Sequence, residues 1–540
     1  MALVLLLIAV IIIICILSNR ISSRLGIPML LVFIGLGMLF GSDGLVRIPF
    51  DDYGFAEQIC SVALIFIMFY GGFGTNWKAA RPVAGKAICL SSLGVVITAG
   101  LTGLFCHFVL GIELLESFLI GSVIGSTDAA SVFSILRSKQ LNLKYGTASM
   151  LEVESGSNDP FAYMLTVLFL SLQTGQVTGS GPIVYMIFAQ IVYGALLGWG
   201  IAYLALAFFR RVRFVTAGFD AAFVLAIAIL SYALPTVLGG NGYLSAYIVG
   251  IILGNSNISN KRALVNFFDG ITGLMQMLIF FLLGLLSFPS QMPPILLPAL
   301  AIFGFVTLIG RPLAVFAIFT PAGCPFRQQL VVSWAGLRGA ASIVFAIMVT
   351  VSGASFVNDI FHIVFCIVLL SISLQGSLLP LVSRKLKMID HNANVLKTFT
   401  DYQEETEIQF IRLNITANHP WVDKTPQELV LPPDMLLVIL LRGRETIIPS
   451  GTTLIQSGDI AVLSAPAFHD DHNIQLQEIH IDTDHPWAGK QIAQISLSAG
   501  SLIIMIRRNQ QVIVPNGNTK ILADDTLVLH SDQGLLRRMH

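Results

Sequence analysis

Charge is scarce in this sequence. Only 11% of the 540 residues are Asp, Glu, Lys or Arg, whereas 55% are hydrophobic. An average soluble domain carries about 25% charged residues, so most of this chain is expected to face lipid or itself rather than water. Acidic and basic residues number 31 each. The resulting net charge of zero argues against a nucleic-acid partner.

Motifs of redox and cofactor chemistry are missing as well. The six cysteines form no Cys-x-x-Cys pair and all lie in the apolar part of the chain, so we interpret them as small core or lipid-facing residues. The polar motifs inside the apolar segments contain no histidine that would activate Ser155 or Ser157. We therefore expect no enzyme activity and no bound cofactor.

Long apolar runs fill the first 387 residues. Several of them are shorter than the ~20 residues of a straight membrane crossing, so their boundaries are soft. We count thirteen candidate spans, at about 2–17, 28–41, 57–73, 83–109, 115–136, 152–172, 182–209, 219–236, 242–255, 263–288, 295–320, 328–351 and 358–382. They predict an all-α polytopic membrane domain of about 13 transmembrane helices over residues 1–387.

Basic residues indicate how these spans are oriented. If the N-terminus is outside, seventeen Lys and Arg residues fall in the inner connections and only Arg47 falls outside. Cytoplasmic loops carry the excess of Lys and Arg in membrane proteins. We therefore predict a multi-pass protein of the inner (plasma) membrane with an external N-terminus. The odd number of spans then places the C-terminal tail in the cytoplasm.

Two basic residues, Arg311 and Arg338, lie inside spans rather than between them. Arg338 belongs to Gly-Leu-Arg-Gly-Ala-Ala-Ser at 336–342, which matches Gly-Ser-Thr-Asp-Ala-Ala-Ser at 125–131. Such Gly-interrupted pairs indicate inverted repeats whose broken helices meet at a binding site. We predict two broken crossing helices, with Asp128 near exposed helix N-termini and Arg338 near exposed carbonyl groups. Alternatively, the glycines only allow close packing and Ala-Ala-Ser recurs by chance.

The most concentrated polar motif of the membrane part is Glu-Ser-Gly-Ser-Asn-Asp-Pro at 154–160. Ser155 and Asp159 are four residues apart and share a helix face. With Thr127 and backbone carbonyl groups, they offer the oxygen ligands that a dehydrated alkali cation needs. Surroundings of low dielectric favour the neutral form of a carboxylic acid, so protons can compete for Asp159. A carboxylate that holds either a proton or a monovalent cation acts as an exchanger.

Other charged residues near this motif need different roles. Two unpaired carboxylates so close together would repel, so we predict that Glu154 forms a structural ion pair with Arg338. We place Glu152 at the cytoplasmic mouth of the site. We interpret Asp269, near the inner end of span ten, as a solvated residue rather than a ligand.

These motifs resemble the cation:proton antiporter-1 family over residues 1–387. The resemblance rests on Thr127-Asp128, Glu154-Ser155, Asn158-Asp159 and the Gly-Leu-Arg-Gly segment of span twelve. Within that family, residues 151–166, the Ser-Ser-Arg-Leu-Gly-Ile-Pro run at 22–28 and the region around Asp51 are similar to potassium/proton antiporters of the NhaP2/CvrA type.

The resemblance implies a homodimer in membrane lipid, with a core domain, a dimerisation domain and elevator-like alternating access. It implies a cation/proton-binding site formed by Asp159, Ser155, Thr127, Asp128 and Asn158, with no metal beyond the transported alkali cation. Exchange is expected to be electroneutral, because two-aspartate relatives have a second acid where this chain has Asn158. The family often has an acidic residue before the Gly-Gly of span three, where this chain has Tyr70. The missing charge favours K⁺ over Na⁺.

The composition changes after residue 387. Residues 388–540 hold 18 of the 31 acidic and 11 of the 31 basic residues, in alternating patterns typical of strands. His-Pro-Trp at 419–421 recurs at 485–487, an offset of 66 residues (485 minus 419). We predict a small α+β cytoplasmic tail with a linker at 388–405, a first module at 406–470 and a second at 471–540.

Each tail module resembles the TrkA-C module of regulator-of-potassium-conductance proteins. Such modules dimerise and bind small ligands, sometimes cyclic dinucleotides, and the resemblance implies a regulator of this kind. Neither copy has a Gly-x-Gly-x-x-Gly fingerprint, which excludes a nicotinamide-binding unit. The candidate phosphate-binding residues are Arg442, Arg444, Arg507 and Arg508. Alternatively, they are solvated strand-edge charges that discourage aggregation.

The leading hypothesis is a secondary active transporter that exchanges K⁺ for H⁺ and is regulated by its cytoplasmic tail. An alternative within the class is Na⁺/H⁺ exchange, which a cation panel including Rb⁺ separates. A ligand-gated K⁺ channel is a different class, since similar tails also serve channels. Against the channel, the sequence has no Thr-x-Gly-Tyr-Gly-like filter and buries a carboxylate at mid-membrane.

Overall fold

The protein is described here by a computed structural model, which divides into two compact units, Met1–Gln403 and Glu404–His540. The structure describes residues 6, 9–18, 28–138, 141–211, 218–256, 258, 260–390, 408–417, 419–429, 431–432, 435–443, 445–466, 476–482, 485–495, 501–508, 511–513 and 515–531. Most of the predicted linker at 388–405 lies outside these residues.

The first unit is helical throughout its described part. Seven of its helical stretches are long and apolar enough to cross a membrane, and five further apolar helices are shorter. In chain order the helices are α1 Ala9–Ser18, α2 Met29–Phe40, α3 Tyr53–Gly74, α4 Trp77–Cys89, α5 Val95–Leu110, α6 Leu114–Val123, α7 Ala129–Ser138, α8 Thr147–Gln173, α9 Ser180–Arg211, α10 Phe219–Val237, α11 Gly242–Gly254, α12 Lys261–Leu285, α13 Met292–Phe305, α14 Arg311–Phe319, α15 Phe326–Trp334, α16 Ala340–Val351, α17 Ile360–Leu370 and α18 Ser377–Lys385.

Three π-helical segments connect helices that continue one another. Leu90–Gly94 joins α4 to α5, Val306–Gly310 joins α13 to α14, and Ser371–Gly376 joins α17 to α18. Segments of this kind are rare and occur frequently at functional sites. The second ends directly before Arg311, and the third begins with Ser371, which accepts a hydrogen bond from the Arg338 backbone N–H at 3.0 Å.

Two helices are broken where the matching sequence motifs predict it. One span is interrupted between α6 and α7, and the other between α15 and α16. The two breaks meet, because the Asp128 backbone N–H donates to the Leu337 carbonyl oxygen at 2.7 Å. A Cβ at Gly339 would lie 2.3 Å from Asp128 Oδ2. Glycine is therefore required at this crossing, since any side chain would force the two breaks apart.

Helix α8 carries the 154–160 motif through the interior of the first unit. Eighteen of its residues are buried, among them Glu152, Glu154 and Asp159. It packs against the broken helix α6 and against α4, α3, α11 and α16. Helices α3 and α11 lie in backbone contact, because a Cβ at Gly250 would come 2.1 Å from the Phe69 carbonyl oxygen. The apolar core beside them is formed by buried residues of α2, α3, α12, α16 and α17.

The described part of the tail contains two four-stranded antiparallel sheets. Their strands are β1 Ile408–Asn414, β2 Leu436–Arg442, β3 Glu445–Ile447, β4 Ile460–Pro466, β5 Leu476–His480, β6 Ser501–Arg508, β7 Gln511–Ile513 and β8 Thr526–Ser531. The strand orders are β1-β4-β2-β3 and β5-β8-β6-β7. The tail has short 3-10 turns at Pro426–Glu428 and Ile492–Gln494, and its described residues include no α-helix.

The 66-residue repeat of the sequence is a structural repeat. The register of β2 on β4 shifts between Leu437 and Ile439, and that of β6 on β8 shifts between Ile503 and Met505. The beginning of the predicted linker, in contrast, belongs to the first unit. Ile389 pairs with Leu143 in an antiparallel bridge, so residues next to 387 are held against the loop before α8.

Candidate ion-binding site at the crossing of the broken helices

Asp159 lies buried where α8 passes the break between α6 and α7. Its side chain is 6% exposed. The Ser126 hydroxyl group, which belongs to the break, donates a hydrogen bond to Asp159 Oδ1. Within the described residues, no Lys, Arg or His forms an ion pair with this carboxyl group. Ser126 was not among the predicted site residues; its only signal was its place directly before Thr127.

The structure brings Thr127, Ser155 and Asn158 together beside Asp159. Ser155 Oγ donates to the Thr127 carbonyl oxygen at 2.5 Å, and Asn158 Nδ2 donates to Thr127 Oγ1 at 2.5 Å. All three residues are buried. Four of the five predicted site residues therefore lie at the place where α8 passes the break, and they bring hydroxyl, carbonyl and carboxyl oxygens to this region. Oxygen ligands of this kind suit an alkali cation.

Asp128, the fifth predicted residue, caps the N-terminus of a helix. Its Oδ1 accepts a hydrogen bond from the Ser131 backbone N–H at 3.2 Å, and its Oδ2 accepts one from Ser131 Oγ at 2.5 Å. A carboxylate in this position stabilises the positive end of a helix dipole. The charge of Asp128 therefore lies at the N-terminus of α7, as the comparison of the two motifs predicts.

The predicted ion pair between Glu154 and Arg338 is wrong. Glu154 is paired with Arg311, whose Nη1 and Nη2 donate to Glu154 Oε1 and Oε2 at 3.0 Å each. Both side chains are almost fully buried, at 1% and 2% exposure. The paired donors of a guanidinium group match a carboxylate in this geometry. Sequence symmetry pointed to Arg338, but no sequence signal places Arg311 opposite Glu154.

Arg338 binds a backbone carbonyl group at the crossing instead of Glu154. Its Nη1 donates to the Ser126 carbonyl oxygen at 2.9 Å, and this carbonyl group lies in the break after α6, where helical hydrogen bonding has ended. Arg338 therefore compensates exposed carbonyl charge, as predicted, although it does not bind Glu154. The two broken helices are tied together by Arg338 in one direction and by the Asp128 backbone N–H in the other.

Three polar residues around the site differ in their degree of burial. Glu152, predicted at the cytoplasmic mouth of the site, is buried with 6% exposure, so it is not an open mouth residue. Tyr70 is also buried, and its Oη donates to Asp269 Oδ1 at 3.1 Å. Asp269 is exposed. Tyr70, at the position where the family resemblance leads us to expect an acid, is thus bonded to an acid on another helix.

The tail arginines that the structure describes bind aspartates of their own modules. Arg442 donates from Nε and Nη2 to Asp459 at 2.8 Å, and Arg508 makes the same contacts to Asp525 at 2.7 Å. The hydrogen bonds from Arg442 hold the pKa of Asp459 below its usual range. A phosphate would have to displace a buried aspartate from either arginine. Arg444 and the Arg507 side chain lie outside the described residues.

Comparisons with known proteins agree with this architecture. A family profile for the transmembrane sodium/hydrogen exchanger matches residues 7–385, and one for the TrkA-C domain matches residues 410–467 and 476–537. The chain is 35% identical over 446 residues to the K⁺/H⁺ antiporter NhaP of Alkalimonas amylolytica, covering 82% of this chain and 78% of the relative. It is 26% identical over 397 residues to the Na⁺/H⁺ antiporter ApNhaP of Aphanothece halophytica, covering 69% of this chain and 73% of the relative.

A solved structure shares the fold of the first unit. The sodium proton antiporter MjNhaP1 of Methanocaldococcus jannaschii at pH 8 superposes with a TM-score of 0.61 and 22% sequence identity. The match covers 68% of this chain and 97% of that one. At this identity the similarity concerns the fold alone.

Proposed function

The chain belongs to the transmembrane sodium/hydrogen exchanger family, and from that premise we propose that it exchanges K⁺ for H⁺, with the Asp159 carboxyl group as the shared carrier. The observation that carries this proposal is the position of that group. It is buried at the crossing of two broken helices, beside hydroxyl and carbonyl oxygens and without a cationic partner among the described residues. An uncompensated carboxylate inside a membrane span is a functional group by default.

Competition between proton and cation gives the coupling. When Asp159 is neutral, the proton satisfies the buried oxygen and no cation is needed. When Asp159 is ionised, a buried charge must be compensated, and a monovalent cation held by Asp159, Ser126, Ser155 and the Thr127 carbonyl group does so. Because the carrier has the same net charge in both loaded forms, we propose that exchange is electroneutral. Asn158, which replaces a second acid, adds no charge to the site.

Loading the cation requires a small rearrangement. The Thr127 carbonyl oxygen is occupied by the Ser155 hydroxyl group at 2.5 Å. A rotation of the Ser155 side chain turns the hydroxyl oxygen toward the cation and frees the carbonyl group at the same time. We propose that this exchange of partners accompanies binding. Asp128 and Asn158 hold the break and Thr127 in place rather than contact the cation.

The identity of the cation is the finer part of the proposal. Relatives at 33–35% identity are named K⁺/H⁺ antiporters, and the position before Gly71 is Tyr70 rather than an acid. Both observations favour K⁺, with Na⁺ as the alternative. The family match and the buried Asp159 carboxyl group argue for a carrier rather than a channel.

Three further features are proposed on the strength of the family and the sequence. We propose that the two TrkA-C modules regulate exchange by binding a small ligand. We propose that the protein acts as a homodimer in the plasma membrane. The distribution of Lys and Arg supports a cytoplasmic position for the tail.

The test is cation-driven proton movement in proteoliposomes. K⁺, Rb⁺, Na⁺ and Li⁺ are added in turn while internal pH is followed. We expect K⁺ and Rb⁺ to drive proton efflux and Asp159→Asn to abolish it. The matched control is Asp220→Asn, which alters another buried aspartate, at the start of α10, that binds Asn260 at 2.9 Å. Exchange that survives Asp159→Asn, or cation flux that ignores the proton gradient, would show the proposal to be wrong.

A further inference from the structure

Glu152 is a buried carboxyl group without a cationic partner among the described residues. It is 6% exposed, and its Oε1 makes no hydrogen bond. Glu154 lies only two residues later, on another face of α8, and has both oxygens bound by Arg311. Leaving a carboxylate uncompensated in the interior is costly. Arg311 compensates the charge of Glu154, whereas no described cationic residue compensates an ionised Glu152. The free-energy cost of a buried charge therefore applies to Glu152.

Tyr247 of α11 carries a second buried polar atom that makes no hydrogen bond within the described part of the chain. The residue is 3% exposed, and the atom is its Oη. Its ring lies on Gly156, where an added Cβ would come within 2.4 Å of the ring and 2.8 Å of Oη. Gly156 is four residues after Glu152 and three before Asp159, so all three share one face of α8. The tyrosine hydroxyl group thus lies between the turns that carry the two carboxyl groups.

The position of Glu152 along α8 defines the side of the membrane that it serves. Glu152 lies near the beginning of α8, and the loop before α8 pairs with Ile389, just before the tail. Glu152 is therefore on the tail side of Asp159. Thr75, at the end of α3, lies beside both Glu152 and Tyr247. Its hydroxyl group is used by the Gly71 carbonyl oxygen at 2.8 Å.

We propose that Glu152 accepts and releases the transported proton on the tail side of the site, and we call it the proton station. The Tyr247 hydroxyl group connects it to Asp159. Tyr247 Oη makes no hydrogen bond to either carboxyl group in this structure, so the transfer requires rotations of the Asp159 and Glu152 side chains toward it. Neutral Asp159 then gives its proton to the Tyr247 oxygen while Tyr247 gives its own proton to ionised Glu152. Glu152 then releases this proton to water on the tail side, and ionised Asp159 is ready for the cation. One proton moves and no net charge is created. This inference rests on the proposed exchange function.

Among the described residues, the charged groups around this path form no ion pair with Glu152, so Glu152 can take up and release a proton. On α8 itself, Glu154 is held by Arg311. Helix α3 brings Tyr70, which is bonded to Asp269. Within the described part of the chain, the basic residues of the neighbouring elements form no ion pair with Glu152: Lys78 and Arg81 of α4 and Arg327 of α15 are exposed, and Lys86 of α4 contacts Cys324 Sγ at 3.4 Å.

The test uses the full-length protein in vesicles whose tail side faces outward, as verified by protease access to the tail. Glu152→Gln is expected to lower the maximal K⁺-driven exchange rate at least about tenfold, as loss of a positioned proton-transfer group does. The K⁺ concentration for half-maximal rate stays unchanged. A small diffusible buffer such as imidazole, added on the tail side, restores the rate because it carries the proton instead.

Tyr247→Phe removes one oxygen that makes no hydrogen bond and is expected to give the same loss and the same rescue. The double variant should be no slower than either single one, because both act in one path. The matched control is Tyr243→Phe, one turn earlier on α11, where the ring packs on Tyr163 at 5.0 Å between centroids. We expect no buffer-dependent recovery there.

Two results would overturn the inference: a wild-type rate in both variants at every tail-side pH, or a loss that buffer does not restore. If Glu152→Gln fails to fold, Tyr247→Phe decides alone. Failure of the proposed function looks different, because wild-type protein would then not exchange or Asp159→Asn still would. Normal exchange in Glu152→Gln together with loss in Asp159→Asn removes only the proton station.

Discussion

Replacing Arg311 by Met should destabilise the protein strongly, because it leaves Glu154 buried and unpaired. Arg311 makes two charge-assisted hydrogen bonds at 3.0 Å, and both partners are at most 2% exposed. A hydrogen bond to a charged group contributes about 1.5–3 kcal/mol. Removal of one partner of a buried ion pair costs about 3–5 kcal/mol. Arg311 Nε makes no further hydrogen bond, so the loss comes from the pair itself.

Equilibrium unfolding in mixed detergent micelles measures this free energy, and a double-mutant cycle isolates the pair. Arg311→Met and Glu154→Gln should each lower the free energy of unfolding by about 3 kcal/mol or more. The double variant should lose less than the sum, with a coupling of about 1–3 kcal/mol, because neither charge is then left alone.

The matched control is Arg338→Met. It should destabilise the crossing, because the Ser126 carbonyl oxygen loses its donor, yet show little coupling to Glu154→Gln. Additive losses for Arg311 and Glu154, or a strong coupling of Glu154 to Arg338 instead, would refute the assignment of the pair.

Three further outcomes follow from the contacts described. Gly339→Ala should reduce exchange at least about tenfold and lower the thermal stability, because the added Cβ would lie 2.3 Å from Asp128 Oδ2. Gly304→Ala serves as the neutral control, since a Cβ at Gly304 would have no described atom within 4 Å. Ser155→Ala should raise the K⁺ concentration for half-maximal exchange several-fold, whereas Ser157→Ala, whose hydroxyl group bonds the Val153 carbonyl oxygen at 2.5 Å, should not. Hydrogen bonds from Arg442 hold the pKa of Asp459 below its usual range; burial opposes the charged form of Asp525, but hydrogen bonds from Arg508 and Leu522 hold its pKa low as well. These interactions therefore stabilise the tail modules above the unfolded pKa of about 4, and the stabilisation is lost as the pH falls through the lower folded pKa values. Limited proteolysis of the full chain at a series of acidic pH values measures this loss. Unchanged protection of the tail at low pH would contradict the predicted direction.

The family and the fold class follow from the sequence because both rest on local patterns. The resemblance to cation/proton antiporters is confirmed by the family match and by relatives at 33–35% identity. The broken helices were predictable because glycine and a central charge interrupt apolar periodicity twice, at 125–131 and 336–342. The tail repeat was predictable for the same reason, since identical spacing implies identical registers.

Partner choice inside the membrane was not predictable in the same way. Arg311 and Arg338 both lie in apolar spans, and nothing local distinguishes them. Which of them reaches Glu154 depends on how α14 lies against α8, after a π-helical segment that the sequence does not mark. Glu152 was misplaced for a related reason. It was predicted at the mouth of the site, but α3 and α11 cover that turn of α8 and bury most of the side chain.

The charged residues of the site fall into two groups: those that hold the site together and those that we propose to move ions through it. Glu154, Asp128 and Arg338 each have a partner in the structure: an arginine, a helix N-terminus and a broken-helix carbonyl group, although Arg338 Nη2 makes no hydrogen bond within the described residues. A charge that is satisfied in place gains nothing by taking up a proton or a cation. Asp159 and Glu152 have no such partner among the described residues, and both lie on the face of α8 that Tyr247 covers. The groups that we propose to change their charge are therefore those for which the described residues provide no compensating partner, and a variant that supplied a counter-ion to Asp159 should stop exchange without unfolding the protein.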